Sequence, residues 1–167
     1  KNNNFSQIEL ENIMCAMAIC YCLNIKTKKI FNSLNKITNP PGRLEKVKSN
    51  KSYEVYVDYA HTPDALKKVL LTKTIKNKKP NLVFGCGGNR DKDKRSKMGL
   101  IANKYAEKVY ITDDNPRNEN PSKIRKSILE NCKKGIEIGN RKEAINKAIK
   151  EMRVNEILII AGKGHEK

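Results

Sequence analysis

The chain has no tryptophan, three phenylalanines and six tyrosines among its 167 residues, and its two histidines are His61 and His165. Acidic residues number 18 against 35 lysines and arginines. Surfaces that bind nucleic acid set rings into a cationic groove so that bases can stack, and so thin an aromatic complement does not provide one. The basic residues are 28 lysines and 7 arginines, spread along the chain with 20 asparagines and not drawn into one stripe. The net charge of +17 is therefore a bias toward Lys and Asn, and no nucleic-acid partner is expected. The same charge can still steer anionic small molecules inward.

Long apolar runs are also missing. The longest, Ile13 to Leu23, has eleven residues, too few to cross a hydrocarbon layer of about 30 Å. With no N-terminal signal pattern, the expectation is a cytoplasmic protein without a membrane partner. The five cysteines, Cys15, Cys20, Cys22, Cys86 and Cys132, include no C-x-x-C pair and no histidine at zinc spacing. They are expected to be reduced and mostly buried, with no metal held. Cys86, approached by Leu82-Val83-Phe84, reads as a packing group. Two glycine signatures fail as well. Gly85-Cys86-Gly87-Gly88 is not G-x-G-x-x-G opening a helix, which argues against a nicotinamide enzyme, and Gly164 stands where a phosphate loop needs Ser or Thr.

What is present divides into two parts. Residues 6 to 36 read as helical: Ser6 and Glu9 form a capping box, and Ile8, Ile13, Ala16, Met17, Cys20 and Leu23 recur at helical spacing. Asn24 should end this helix, a second should run from Thr27 to Asn35, and Asn39-Pro40-Pro41-Gly42 marks a linker. Two such helices are barely stable alone, so residues 1–41 are expected to be the tail of a preceding domain plus its linker.

From residue 42 to 167 strands and helices alternate. Expected strands are Tyr53 to Asp58, Asn81 to Cys86, Lys108 to Thr112, Gly135 to Ile138 and Glu156 to Ala161. Expected helices are Pro63 to Ile75, Ser96 to Glu107, Pro121 to Cys132 and Arg141 to Met152. This predicts an α/β fold, a Rossmann-like and mostly parallel sheet with helices on both faces and right-handed crossovers.

Four loops then follow strands and open on one edge, where α/β sheets place ligands. They are Asp58-Tyr59-Ala60-His61-Thr62-Pro63-Asp64, Gly85 to Asp91, Asp113-Asp114-Asn115-Pro116-Arg117 and Gly162-Lys163-Gly164-His165-Glu166. Each has a plain structural alternative. The glycines could be a tight turn, the charges from Lys92 to Lys94 within the crowded Arg90 to Arg95 loop a solvated run, and both histidines structural. Arg90, directly after the glycines, is placed to fork onto a carboxylate or phosphate. The Asp-Asp-Asn-Pro-Arg turn suits a ligand bearing both an amine and a carboxylate.

Taken in order, Pro41-Gly42-Arg43-Leu44-Glu45, the Asp58 to Asp64 loop, Phe84 to Asp91, Asp114 to Arg117 and Ala161 to Glu166 resemble the motif series of the Mur ligases. Within that family they are similar to the UDP-N-acetylmuramoyl-tripeptide synthetase type. The resemblance covers essentially the whole chain. It implies that residues 1 to 40 are the last helices of a central ATPase domain and that residues 42–167 are a C-terminal domain cut short at its end. It further implies an ATP- and Mg²⁺-dependent ligase, monomeric, adding meso-diaminopimelate to UDP-N-acetylmuramoyl-L-alanyl-D-glutamate through an acyl phosphate. Carried over by motif, Arg90, Asp114, Asn115, Pro116, Arg117, Gly162 and Glu166 would form the diaminopimelate pocket, and Arg43, Asp58 and His61 would lie on the nucleotide side. Arg117 would select diaminopimelate over lysine by holding the extra carboxylate. Asn89 departs from the aspartate that many relatives carry before this arginine. The family's phosphate loop, Mg²⁺ ligands and carbamylated lysine lie upstream of residue 1, so no catalytic residue is expected here and the 167 residues alone should not ligate. Lysine-adding ligases, folylpolyglutamate synthetases and cyanophycin synthetases share the fold, but the Asp-Asn-Pro-Arg turn argues against the last two. A basic nucleic-acid module would instead show salt-sensitive DNA affinity.

Overall fold

The computed structural model describes residues 7–37 and 40–164, which fall into a helical unit within residues 1–39 and a sheet unit within residues 40–167. Ser6 of the expected capping box, and His165 and Glu166 of the last loop, lie outside the described residues.

In the helical unit, α1 spans Gln7–Cys22 and α2 spans Thr27–Leu34. Asn24 ends the first helix as expected: it takes φ +58°, tolerable for its short polar side chain, and its N–H donates to the Tyr21 carbonyl at 2.9 Å. The expected apolar face is only partly covered. Leu23 is 68% exposed and Ala16 is exposed too, whereas Ile13, Met17 and Cys20 are half-buried and Ile30 is buried. An eight-residue helix packed against a sixteen-residue one covers one stripe and no more. The thiols correct the expectation in the same way. All five are free, but Cys15 and Cys22 are exposed and Cys20 is intermediate, so only Cys86 and Cys132 are buried.

The sheet unit runs β1 (Glu45–Lys46), β2 (Glu54–Asp58), α3 (Pro63–Thr72), β3 (Asn81–Phe84), α4 (Asp93–Tyr105), β4 (Val109–Ile111), α5 (Pro121–Leu129), β5 (Gly135–Glu137), α6 (Arg141–Lys150) and β6 (Ile157–Ala161). The order across the sheet is β1-β2-β6-β3-β4-β5. β1 pairs antiparallel with β2, and the other pairings are parallel. The last strand of the chain thus sits in the middle, with Asp58 opposite Ala161 and Phe84 opposite Ile111 at the carboxyl ends. The two-residue β1 has no sequence signal and was not expected.

Three helix starts in the sheet unit have a side-chain cap. Thr62 Oγ1 accepts the Ala65 N–H with Pro63 at the first helical position, Asn120 Oδ1 accepts the Ser122 N–H ahead of Pro121, and Asn140 Oδ1 accepts the Glu143 N–H. The α4 helix departs from expectation. It begins at Asp93, whose N–H is received by Asp91 Oδ1 at 2.9 Å, three residues before the expected Ser96. Arg95 thereby leaves the expected charged loop and joins the buried face with Met98, Gly99 and Ala102.

Two apolar clusters hold the sheet from opposite faces. Leu66 and Leu70 of α3, Met98 and Ala102 of α4, and Ile124 and Ile128 of α5 pack on Leu82, Phe84, Val109, Ile111 and Ile159. On the other face Ala144 and Ala148 of α6 pack on Val55, Val83, Tyr110, Leu158 and Ile160. Each large side chain buried this way contributes roughly 1.5–3 kcal/mol. Val55 and Val57 share the second cluster with Tyr53, as their alternation predicts. The layered arrangement fixes the carboxyl edge of the sheet and hence the loops that leave it.

Candidate functional site

The loops after β2, β6, β3 and β4 emerge side by side, since these strands are parallel neighbours in that order. The loop after β3 and the turn after β4 are joined along a seam. A Cβ on Gly85 would overlap the Thr112 carbonyl oxygen, and one on Gly88 would overlap that of Pro116. Glycine is needed here because two backbones touch. Across this contact the Gly88 N–H donates to the Asn115 carbonyl at 2.8 Å, and Arg117 Nη1 donates to the Gly88 carbonyl at 2.6 Å. Asn115 Oδ1 accepts the Arg117 N–H at 3.3 Å. Arg117 itself takes φ +49°, a left-handed conformation that costs a non-glycine residue about 1–2 kcal/mol. Among the described residues neither Arg117 nor Arg90 has an acidic partner, and both are exposed on the two sides of the seam.

The two acids that open the turn differ in role. Asp113 pairs with Arg125, which also bonds Glu137 at 2.8 Å, while the Asp113 N–H donates to Gly139. Its carboxylate is engaged by the fold. Asp114 points toward the last loop: its Oδ2 lies 3.8 Å from where a Cβ on Gly162 would stand. Gly162 has φ +97°, where a side chain would be strained. Pro116 contributes backbone, its carbonyl meeting Gly88.

On the β2 side the residues come together with unequal parts. Asp58 is buried, and its carboxylate accepts the Leu44 N–H at 2.8 Å and the Ala60 N–H at 2.7 Å. It ties Leu44, just after the linker, to the strand-end loop. Arg43 lies with its guanidinium 5.0 Å from the Tyr59 ring centre, and Tyr59 meets His61 edge to face at 4.7 Å. His61 Nδ1 is 2.9 Å from the Tyr59 carbonyl, and Lys94 Nζ donates to the His61 carbonyl at 3.1 Å. Gly42, at φ +70°, packs so tightly on Gly164 that a Cβ on Gly42 would overlap the Gly164 backbone.

Cys86 packs as expected: it is 3% exposed, and its thiol lies 3.7 Å from Met98 Sδ. Burial pushes its pKa up to about 11, so it is no nucleophile near neutral pH. Among the described residues no group of three or more His, Cys, Asp or Glu side chains gathers to hold a metal ion.

One pairing was not expected. Arg95, 3% exposed, makes a two-pronged ion pair with Glu119 at 2.9 and 3.0 Å, and Glu119 Oε1 also accepts the Asn89 N–H at 2.6 Å. The Glu119 carboxyl is held down to about 2, first by the Arg95 hydrogen bonds and then by the Asn89 amide. A signal did exist in the sequence, for Arg95 lies at helical spacing from Met98, Gly99 and Ala102. Asn89 takes φ +50°, which asparagine tolerates better than most residues.

The family model of the Mur ligase glutamate ligase domain matches residues 42–164. A curated relative named UDP-N-acetylmuramoyl-L-alanyl-D-glutamate–2,6-diaminopimelate ligase, from Anaplasma marginale, is 42% identical over 96% of this chain and 33% of its own length. A solved structure of a ligase with that name is 34% identical and superposes with a TM-score of 0.69, covering 96% of this chain and 34% of the other. A folylpolyglutamate synthase/dihydrofolate synthase from Yersinia pestis, solved with AMPPNP and a Mn ion, shares the fold at a TM-score of 0.65 with 16% identity, over 83% of this chain and 32% of the other. The chain spans about a third of the length of the relatives it matches. With its glycine seam, its Asp-Asn-Pro-Arg turn and the family match running together through the sheet unit, the chain belongs to the Mur ligases.

Proposed function

We propose that this chain is the amino-acid-binding portion of a larger ATP-dependent ligase that adds meso-2,6-diaminopimelate to UDP-N-acetylmuramoyl-L-alanyl-D-glutamate in peptidoglycan synthesis. The observation that carries the reading is Arg117, a non-glycine residue kept at φ +49° with one guanidinium nitrogen on the Gly88 carbonyl. Such a conformation persists where the surroundings over-determine it, which is common at ligand clamps. The guanidinium is oriented before any ligand arrives, so less freedom is lost on binding.

Diaminopimelate carries an amine and a carboxylate at each end, and only one amine reacts. The far end needs one cationic and one anionic or carbonyl partner. Arg117 and Arg90 supply the forks for carboxylates, Asp114, the Gly162 carbonyl and Glu166 receive an ammonium, and Asn115 with Pro116 shapes the turn. Lysine lacks the second carboxylate and would leave Arg117 unpaired. A hydrogen bond to a charged group contributes about 1.5–3 kcal/mol, which favours diaminopimelate by roughly ten- to a hundredfold.

The β2 side fits a nucleotide: Arg43 and His61, both exposed, lie against the half-buried Tyr59 ring and offer a cation and an imidazole there. ATP, with Mg²⁺, would supply the phosphoryl group that activates the D-glutamate carboxylate as an acyl phosphate. Asp58 holds this loop in place through two backbone amides. Residues 1–41 would then be the last helices and linker of the domain that binds most of the nucleotide, and residues 42–167 the C-terminal domain. The protein is read as a cytoplasmic monomer acting on small molecules alone.

The test is release of inorganic phosphate from ATP by the full-length ligase with the UDP-linked dipeptide, using diaminopimelate or lysine as the amine. Diaminopimelate should be required. Equal turnover with lysine would overturn the assigned role of Arg117.

A further inference from the structure

The side chains of Arg95 and Glu119 bond none of the residues assigned above to the amino acid by motif, although the Glu119 N–H donates to the Pro116 carbonyl at 3.0 Å, and the pair lies beside the seam between the two arginine-bearing loops. Arg95 reaches from the buried face of α4, and its Nη2 also lies 3.4 Å from the Gly87 carbonyl. Glu119 closes the β4 turn, two residues after Arg117, and receives the Asn89 amide, one residue before Arg90. Both partners are therefore anchored: Arg95 by the helix, Glu119 by three donors on its two carboxylate oxygens.

We propose that the Arg95–Glu119 pair is a positioning clasp that sets the spacing between Arg90 and Arg117, and with it the length of the two-carboxylate amino acid the site accepts. The proposal rests on the reading of the site given above. Three bonds cross between the loops: Gly88 N–H to the Asn115 carbonyl, Arg117 Nη1 to the Gly88 carbonyl, and Asn89 N–H to Glu119. Only the last engages a side chain that a second group holds. The other two are confined to residues 88, 115 and 117 and leave the stretch toward Arg90 unfixed.

Two residues in left-handed backbone, Asn89 and Arg117, flank this junction, so each loop leaves it by a sharp turn. A small shift of the Glu119 carboxylate would swing Asn89, and Arg90 beyond it, away from Arg117. A misplacement of about 1 Å in such a positioned group can lower efficiency about a hundredfold. Burial makes the pairing exacting, since Arg95 has one further guanidinium N–H, on Nε, that is buried without a partner.

The decisive experiment uses the full-length ligase with Glu119→Gln, and Glu119→Asp as the variant that retains charge while withdrawing the carboxylate by one methylene. Measured quantities are KM for diaminopimelate, KM for ATP, kcat, and the diaminopimelate-over-lysine ratio. The expected result is a diaminopimelate KM raised about tenfold or more and a reduced ratio in each variant that folds, with ATP KM and saturated kcat within about twofold of the parent. The double exchange Arg95→Glu with Glu119→Arg, which restores the pair in reverse, should recover part of the ratio. An unchanged diaminopimelate KM, or both KM values rising together, would overturn the clasp and leave the pair a purely structural one. A parent enzyme that ignores diaminopimelate would instead overturn the functional reading itself and the clasp with it.

Discussion

Arg117 donates a hydrogen bond of 2.6 Å to the carbonyl of Gly88 across a seam in which the Gly88 amide donates back to Asn115. The turn that carries Arg117 is therefore fixed by the backbone of the neighbouring loop and not by its own sequence alone. That coupling makes the arginine and the glycines separable by experiment.

Replacing Arg117 with Ala in the full-length ligase should raise the diaminopimelate KM by about ten- to a hundredfold, the worth of a hydrogen bond to a charged group, with ATP KM little changed. Arg117→Lys should recover only part of this, because an ammonium lacks the planar fork. Steady-state kinetics with each substrate varied in turn checks both, and equal loss toward ATP and amino acid would contradict the pocket assignment.

Adjacent glycines should behave differently. A Cβ on Gly88 meets the fixed backbone of Pro116, so Gly88→Ala should lower stability by about 1–3 kcal/mol and depress Tm. A Cβ on Gly87 lies 3.1 Å from Arg117 Nη1, the movable end of a side chain. Gly87→Ala should therefore melt close to the parent while binding diaminopimelate less tightly. Thermal denaturation and isothermal titration of the pair separate the two effects.

Asp58 accepts two backbone N–H groups on opposite oxygens. In Asp58→Asn one of those amides would face a donor, and the loss should be about 1–3 kcal/mol, visible in the midpoint of urea unfolding. A variant as stable as the parent would show that the segment around Leu44 is held by other contacts.

The Glu119 carboxyl lies at about 2 in the folded chain, against an ordinary 4.5, because Arg95 and the Asn89 amide favour its charged form. A depressed folded value gives stability that is full above pH 4.5 and lost as pH falls from there through about 2. Urea midpoints measured across this window should fall less steeply in Glu119→Gln than in the parent.

Thiol labelling offers a check on the two units together. Cys15 and Cys22 should react quickly with iodoacetamide, and Cys86 and Cys132 should resist until the chain unfolds. Burial raises the pKa of both protected thiols, that of Cys86 to about 11. Mass spectrometry of peptides after timed quenching reads out each site.

Local chemistry made much of the sheet unit legible. Proline after a capping Thr or Asn marked the starts of α3 and α5, and apolar runs marked β3 and β6 within two residues at either end. What failed was local in appearance but decided elsewhere. Arg90 to Arg95 all crowd what reads as a single loop, yet Arg95 lies on the buried face of α4, where Glu119, 24 residues later, neutralises it. Leu23 fitted a helical apolar stripe, yet it is 68% exposed in the helical unit.

By itself the sequence determined the alternation of elements, the gathering of the loops on one edge of the sheet, and the residue types at Gly85, Gly88, Gly162 and Arg117, since periodicity, capping and backbone sterics act over a few residues. Only the tertiary structure decided that β6 lies between β2 and β3, that Asp113 and Asp58 are spent on Arg125 and on backbone amides, and that Arg95 and Glu119 meet. These depend on strand order and on which charges burial forces together, and a chain read in one dimension does not carry those distances.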